Sequence, residues 1–201
     1  MRYLPGAILI LVVGVVAAGA WLWSGSYNVA ADEPHWPLVH RALELGRERS
    51  IAQRVAAVEV PDLTDPERLA QGAGNYAAMC ETCHLRPGLA DSELRRGLYP
   101  RPPALATRDA PDPARDFWII KHGLKASGMP AWGRSMGDDT IWGMVAFMRT
   151  LPGQSADDYA TAVTTSGGHD HGDAESAPAP EEGPVKMPAR SSHDDDHDHK
   201  H

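Results

Sequence analysis

The chain has 201 residues, enough for one domain with further segments attached to it. It contains two cysteines, so a disulfide framework beyond a single pair is excluded. The net charge is −8, but residues 1–153 hold 16 basic and 16 acidic side chains, whereas residues 154–201 hold 3 basic and 11 acidic ones. The imbalance therefore lies in the C-terminal tail, and no basic patch indicates nucleic-acid binding.

The N-terminal segment, residues 1–24, is predicted to be a transmembrane anchor. Residues 4–23 carry no charge and as a helix would span about 30 Å, the thickness of a bilayer's hydrocarbon core. Trp21 and Trp23 lie where interfacial aromatic residues are expected. The alternative is a signal peptide cleaved after the Ala-Gly-Ala sequence at 18–20. In both cases we expect an exported domain, on the periplasmic or outer face of the inner (cytoplasmic) membrane, with a single pass if the anchor is kept.

Residues 25–64 are predicted to be a connector. Pro34 and Pro37 break its first part, and an amphipathic helix is expected over residues 38–60, ended by Pro61. Apolar residues recur there at roughly helical spacing: Leu38, Ala42, Leu45, Ile51, Val55 and Val58. We expect this helix to pack on the following domain as a stalk, with the membrane surface or a partner protein as alternatives.

Residues 65–153 are predicted to form one helical domain. An Asp-Pro-Glu sequence gives a helix start, and the first helix is expected over residues 66–80. Residues 85–137 are rich in Gly and Pro and are expected to be loops with one short helix near 112–123. The last helix, residues 139–151, is apolar around much of its circumference and should be buried on more than one side.

The motif that carries chemistry is Cys80-Glu81-Thr82-Cys83-His84, the C-x-x-C-H attachment signature of c-type haem. Two thiols three residues apart can form thioethers to two edges of one porphyrin, and the adjacent His can then bind the iron. A thioredoxin-like redox pair is an alternative, but the segment before Cys80 reads as a helix rather than a strand. A zinc site would need about four ligands, and only one Cys pair exists. Chance occurrence of so short a pattern is the remaining alternative.

A haem iron used for electron transfer needs a sixth ligand, and Met129 is the candidate. It lies 45 residues after His84 in a Gly-rich stretch, followed by Pro130. A thioether is a soft, neutral ligand that raises the reduction potential. Met136 is the main rival. The other methionines considered are too close to the motif or belong to a predicted core helix: Met79, Met144 and Met148.

These features together resemble a class I c-type cytochrome of the small bacterial monohaem type over about residues 65–151. Gly72 and Tyr76, eight and four residues before Cys80, match the family's crossing point between its first and last helices. Met144 and Phe147 fit the opposing positions. The resemblance implies an all-α fold around one covalent haem c, preceded by a transmembrane helix and the connector helix.

The resemblance also implies residues around the haem. A haem-ligating His donates its second ring N–H to a backbone carbonyl, and Pro103 occupies the place of the family residue that supplies it. Pro102 stands where the family has Gly, so the loop geometry departs from the pattern. Contacts to the haem or its propionates are expected from Tyr99, Arg101 and Trp132.

The function implied is one-electron transfer by a membrane-tethered carrier with His84 and Met129 as axial ligands. Such a protein is not an enzyme, since both axial positions of the iron are filled. Its partners are expected to be redox proteins in the membrane. The alternatives are a cytochrome subunit of a respiratory or dehydrogenase complex, and a metal- or ligand-responsive haem protein.

The tail, residues 154–201, is predicted to be disordered because its composition can bury little apolar surface. Its six histidines alternate with Asp in places and could form a weak divalent-metal site: His169, His171, His193, His197, His199 and His201. A solvated acidic tail is the alternative.

Overall fold

The computed structural model describes residues 3–108 and 112–170. Within those ranges the chain forms helices and no strand, which confirms the all-α prediction. The α-helices are α1 Leu4–Trp23, α2 Pro37–Val55, α3 Pro66–Met79, α4 Glu81–His84, α5 Glu93–Gly97, α6 Pro113–His122, α7 Asp138–Met148 and α8 Ala156–Thr164. Short 3₁₀ turns form at Leu105–Thr107 and Trp132–Arg134.

Helix α1 is long and apolar enough to cross a membrane, and it has no buried residue. An apolar helix suits the interior of a bilayer, because its backbone hydrogen bonds form within the segment. A signal sequence near the N-terminus has the same length and composition. The helix therefore suggests a membrane anchor without fixing which side of the membrane the domain faces.

Helix α2 packs on the helical domain, as expected of a stalk. It contacts α6, and Ile51 of α2 is only 1% exposed. The helix ends at Val55, however, and the prediction that it continues to residue 60 is wrong. The chain turns after Val55, and this turn lets Val58 and Leu63 pack against the domain core.

The core forms where α3 crosses α7. A Cβ atom at Gly72 would overlap the backbone carbonyl of Gly143, so the two helices approach as closely as their backbones allow. The rings of Tyr76 and Phe147 lie 5.8 Å apart beside this point. Phe147 thus occupies the position expected for it, whereas Met144 is buried in the core and Gly143 is the residue against Gly72.

Helix α8 corrects the prediction that the chain is disordered from residue 154. The Ser155 hydroxyl accepts a hydrogen bond from the Asp158 amide and starts the helix. Tyr159 is 3% exposed, and its ring contacts those of Tyr76 and Phe147. The buried side chain of Tyr159 thus anchors α8 to the domain. The composition of the segment alone did not indicate an ordered helix.

The segment after α8 also packs on α3. The carbonyl of Gly168 lies where a Cβ atom at Gly74 would be, and the Asn75 side-chain oxygen accepts from the Asp170 amide at 2.9 Å. The ordered unit therefore extends to residue 170, past the predicted end at 153. Residues 171–201 lie outside the described residues.

Candidate cofactor site

A cavity of about 400 Å³ opens beside the C-x-x-C-H motif. Its size falls within the roughly 300–1,000 Å³ typical of cofactor and small-molecule sites. Cys80, Cys83 and His84 line it, together with Met129 from a loop far along the chain. The structure thus brings the predicted attachment cysteines and both predicted axial ligands to one cavity.

The two cysteines are free thiols on a single turn. The amides of Cys83 and His84 donate to the Cys80 carbonyl at 3.1 and 2.8 Å, directly after α3 ends at Met79. Burial raises the pKa of the Cys80 thiol to about 12 and also raises the pKa of Cys83. A redox-active C-x-x-C pair needs a lowered thiol pKa, so the thioredoxin-like alternative is disfavoured.

The imidazole of His84 is oriented by the backbone of Pro103. Its Nδ1 lies 3.0 Å from the Pro103 carbonyl oxygen. A carbonyl only accepts, so Nδ1 carries the proton and Nε2 keeps the lone pair that can bind a metal ion. Burial lowers the pKa of His84, and the bond to Pro103 offsets only part of that effect. The ring is therefore neutral at pH 7, the form that ligates metals.

Met129 and Met136 occupy different environments. Met129 lines the cavity, and its backbone closes a loop: its amide donates to the Ser127 hydroxyl, and its carbonyl accepts from the Leu124 amide, each at 3.1 Å. Met136 is 3% exposed within the core cluster and does not line the cavity. Of these two, Met129 is the one placed to reach a group bound beside His84. Met79 and Met148 also line the cavity, but Met79 ends α3 directly before Cys80, and Met148 ends α7 and is 5% exposed in the core cluster.

Arg101 lines the cavity, and Asp91 fixes its position. The two side chains form an ion pair at 2.6 Å, and Arg95 donates to the same carboxylate at 3.1 Å. Burial alone would raise the pKa of Asp91, but hydrogen bonds from Arg95, the Ser92 amide and Arg101 hold it at about 2. Asp91 is therefore ionised at neutral pH and holds Arg101 at the cavity wall.

Arg108 is a cavity residue that the sequence gave no reason to select. It forms a two-point ion pair with Asp116, at 2.7 and 2.6 Å, and the Asp116 side chain is almost fully buried. Such a pair costs desolvation, which its short, parallel hydrogen bonds offset. The pair joins the loop after Pro103 to α6 on one side of the cavity. The ion pair could have been predicted from sequence only by a rule that relates an arginine at 108 to an aspartate at 116.

Trp132 also lines the cavity, but Tyr99 does not. The Tyr99 hydroxyl accepts from the backbone N–H of His35 at 3.2 Å and lies 3.5 Å from Nδ1 of His40. The side chain of Tyr99 bonds to the connector, so the contact of Tyr99 with the cofactor stays a prediction that the cavity lining does not support. His35 and His40 in the connector are the sequence features that could have indicated the contact between Tyr99 and the connector.

Among the tail histidines, His169 lies in the described residues. Its Nδ1 is 2.9 Å from the Asn75 side-chain oxygen, which places it against α3. Within residues 3–108 and 112–170, no group of three or more His, Cys, Asp or Glu side chains could hold a metal ion. The other five predicted tail ligands, from His171 onward, lie outside the described residues.

The model of one family, cytochrome c oxidase of the cbb3 type, subunit III, matches residues 67–148. The match spans α3 to α7 and contains the attachment motif, Pro103 and Met129. Residues 67–148 form a c-type cytochrome domain. No curated protein and no solved structure matches the chain. The cytochrome domain implies a haem c cofactor and haem-based electron transfer, and α1 before it agrees with a membrane-anchored cytochrome of class I.

The residues of the cytochrome domain fit such a cofactor. Two thiols, an imidazole with a free Nε2 and a thioether meet at one cavity. Its charged lining consists of four arginines and two carboxylates: Arg47, Arg101, Arg108, Arg115, Glu48 and Asp116. The lining therefore carries more guanidinium groups than carboxylates, which suits the negatively charged propionates of a haem.

Proposed function

We propose that this protein is a one-electron carrier with a single covalent haem, attached at Cys80 and Cys83 and ligated by His84 and Met129. The observation that carries the proposal is that one cavity is lined by both thiols, the oriented imidazole and the methionine thioether. These residues come from a helical turn and a loop 45 positions later, and a shared ligand would explain why the fold brings them together.

The haem would supply an iron that alternates between two oxidation states. The protein's own residues hold the cofactor and tune it. The thiols fix the cofactor covalently, and Pro103 holds the His84 ring in the orientation and tautomer that leave Nε2 for the metal. A Met129 thioether bound to the iron would favour the reduced state and raise the potential. His84 and Met129 would then occupy the ligand positions that a substrate could otherwise use, so we propose a carrier rather than an enzyme.

The proposed location is the outer face of the inner membrane, with α1 as a single-pass anchor and the cytochrome domain exported. Helix α1 has the length and composition for this role. An anchor confines the domain to a thin layer above the membrane and raises its effective concentration near membrane-bound partners. The proposed partners are therefore redox proteins of the same membrane.

A second proposal is that the protein is a subunit of a larger respiratory complex. The family whose model matches residues 67–148 is described as an oxidase subunit, and this favours the idea. Detergent extracts resolved by native electrophoresis distinguish the two. The subunit proposal predicts a fixed-stoichiometry complex, and the carrier proposal predicts a haem-staining band at the mass of the single chain.

The test of haem attachment uses the full-length protein, purified in detergent from cells that mature c-type cytochromes. Haem staining after denaturing electrophoresis should label the wild type and fail for the Cys80→Ala/Cys83→Ala double variant. The intact mass should rise by one haem. Haem that acid extraction removes, or a chain without haem, would overturn the proposal.

A further inference from the structure

The inference concerns α2, which lies before the matched residues 67–148 and yet reaches the cofactor cavity. Arg47 and Glu48 from α2 line this cavity together with His84 and Met129. Buried Ile51, one turn further along, fixes α2 against the domain. The connector helix therefore forms part of the cavity wall, and the cytochrome domain alone does not complete the cavity.

The contact between α2 and α6 is electrostatic as well as apolar. Arg115, near the start of α6, lies 2.8 and 3.0 Å from the two carboxylate oxygens of Glu48. Arg47 lies 3.2 Å from the same carboxylate. Two guanidinium groups on different helices thus share one carboxylate at the edge of the cavity.

The other two arginines that line the cavity, Arg101 and Arg108, have different carboxylate partners. Arg101 has Asp91 at 2.6 Å, and Arg108 has Asp116 in a two-point pair. Asp91 is itself shared, since Arg95 and Arg96 also lie 3.1 and 4.0 Å from it, but neither of these two arginines lines the cavity. Arg47 and Arg115, by contrast, both line the cavity and share Glu48, with a further contact of 4.0 Å between Arg47 and Glu44. Two cavity-lining guanidinium groups therefore share one carboxylate where α2 meets α6.

We propose that Arg47 and Arg115 bind the propionate carboxylates of the haem, so that α2 is a structural part of the haem site and links it to the anchor. The inference rests on the proposed function, since it requires a haem in the cavity. A propionate there would give the two arginines a second close carboxylate besides Glu48, and guanidinium is the side-chain group best suited to binding carboxylate at two points. The arginines come from two helices, so the cofactor would join the connector to the domain.

Arginine side chains bound to the propionates would shift the equilibrium between oxidised and reduced haem. A guanidinium near the haem disfavours the more positive, oxidised iron by Coulomb repulsion and offsets the propionate charge. Arg47→Gln and Arg115→Gln should each raise the ratio of oxidised to reduced haem severalfold at a fixed ambient potential. A tenfold rise would correspond to a fall in midpoint potential of about 59 mV for a one-electron couple.

The matched control is Arg49→Gln, an exposed arginine on the same helix that does not line the cavity. Arg47→Lys keeps the charge at the cavity and should retain most of the wild-type potential, which separates loss of charge from loss of packing. The protein used throughout is the full-length, haem-loaded chain in detergent. Redox titration followed by visible absorbance gives the potential of each variant.

Resonance Raman spectroscopy tests for direct contact, since the propionate bending band reports hydrogen bonding at the carboxylate. We expect this band to shift in Arg47→Gln and Arg115→Gln and to stay unchanged in Arg49→Gln. The inference is overturned if Arg47→Gln moves the potential no more than Arg49→Gln does, or if the potential moves while the band does not. A wild type without haem bands would instead overturn the proposed function, so the two failures are distinguishable.

Discussion

The Tyr159 hydroxyl donates a 2.7 Å hydrogen bond to the carboxylate of Glu81, a residue inside the haem attachment motif. The bond joins α8 to α4 across 78 positions of the chain. Helix α8 thus packs directly behind the turn that carries the two cysteines. A segment whose composition suggested only a solvated tail therefore contacts the C-x-x-C-H turn through a side-chain hydrogen bond.

Tyr159→Phe should lower the free energy of unfolding by about 1–2 kcal/mol, because it leaves a partly buried carboxylate without its donor. The ring contacts with Tyr76 and Phe147 remain in this variant, so α8 should stay in place. Denaturant unfolding followed by far-UV circular dichroism measures the change. Asp157→Asn, an exposed change on the same helix, is the control and should have little effect. Equal stability of the two variants would show that the bond to Glu81 contributes nothing.

Gly72→Ala should destabilise the domain by about 1–3 kcal/mol or more, because the added methyl group would overlap the Gly143 backbone. A backbone atom cannot move aside as a flexible side chain can, so α3 and α7 would have to separate. Gly46→Ala on α2 is the matched control, since nothing lies within 4 Å of its Cβ position. That control should be neutral or stabilising by up to about 1 kcal/mol. Thermal unfolding of both variants tests the prediction, and a neutral Gly72→Ala would contradict the close crossing.

The stability of the protein should depend on the ionisation of Asp91. The pKa of its carboxyl is about 2 in the folded protein, below the usual value of about 3.9. The stabilisation is thus fully present above about pH 4 and is lost as the pH falls toward 2. Asp91→Asn should therefore be less stable at pH 7 and should lose less stability between pH 4 and 2.

Denaturant midpoints measured across this pH range give the slope for each variant. Glu59→Gln, at an exposed position outside the helices, serves as the control and should keep the wild-type slope. An unchanged slope in Asp91→Asn would indicate that the interactions with Arg95 and Arg101 do not favour the ionised carboxylate.

The parts of the fold that could be predicted from sequence depend on local signals. The cap at Asp65 fixes the start of α3, and the glycine at 72 indicates a close helix crossing. The C-x-x-C-H motif is likewise local, since its three chemical groups lie within five residues. Met129 could be named because it follows the motif in a Gly-rich stretch and a thioether suits a haem iron, and Pro103 could be named because of the family resemblance.

The rest depends on contacts between distant segments. Tyr159 is buried only because Tyr76 and Phe147 leave an aromatic surface beside the helix crossing. The connector helix ends at Val55, and the chain after it places Val58 and Leu63 against the core. The amino-acid composition of the connector does not indicate these tertiary contacts. The contact between the Tyr99 hydroxyl and the backbone of His35 could not be predicted for the same reason, since the two residues are 64 positions apart.

The most direct test of the proposed ligation is the visible spectrum of the oxidised protein, compared among wild type, Met129→Ala and Met136→Ala. Methionine–iron ligation gives a weak charge-transfer band at long wavelength. We predict this band in the wild type and in Met136→Ala, although the latter should lose about 2–5 kcal/mol of stability because its side chain is buried in the core. Met129→Ala should lack the band. A band that persists in Met129→Ala and disappears in Met136→Ala would contradict the assignment of Met129 as the ligand.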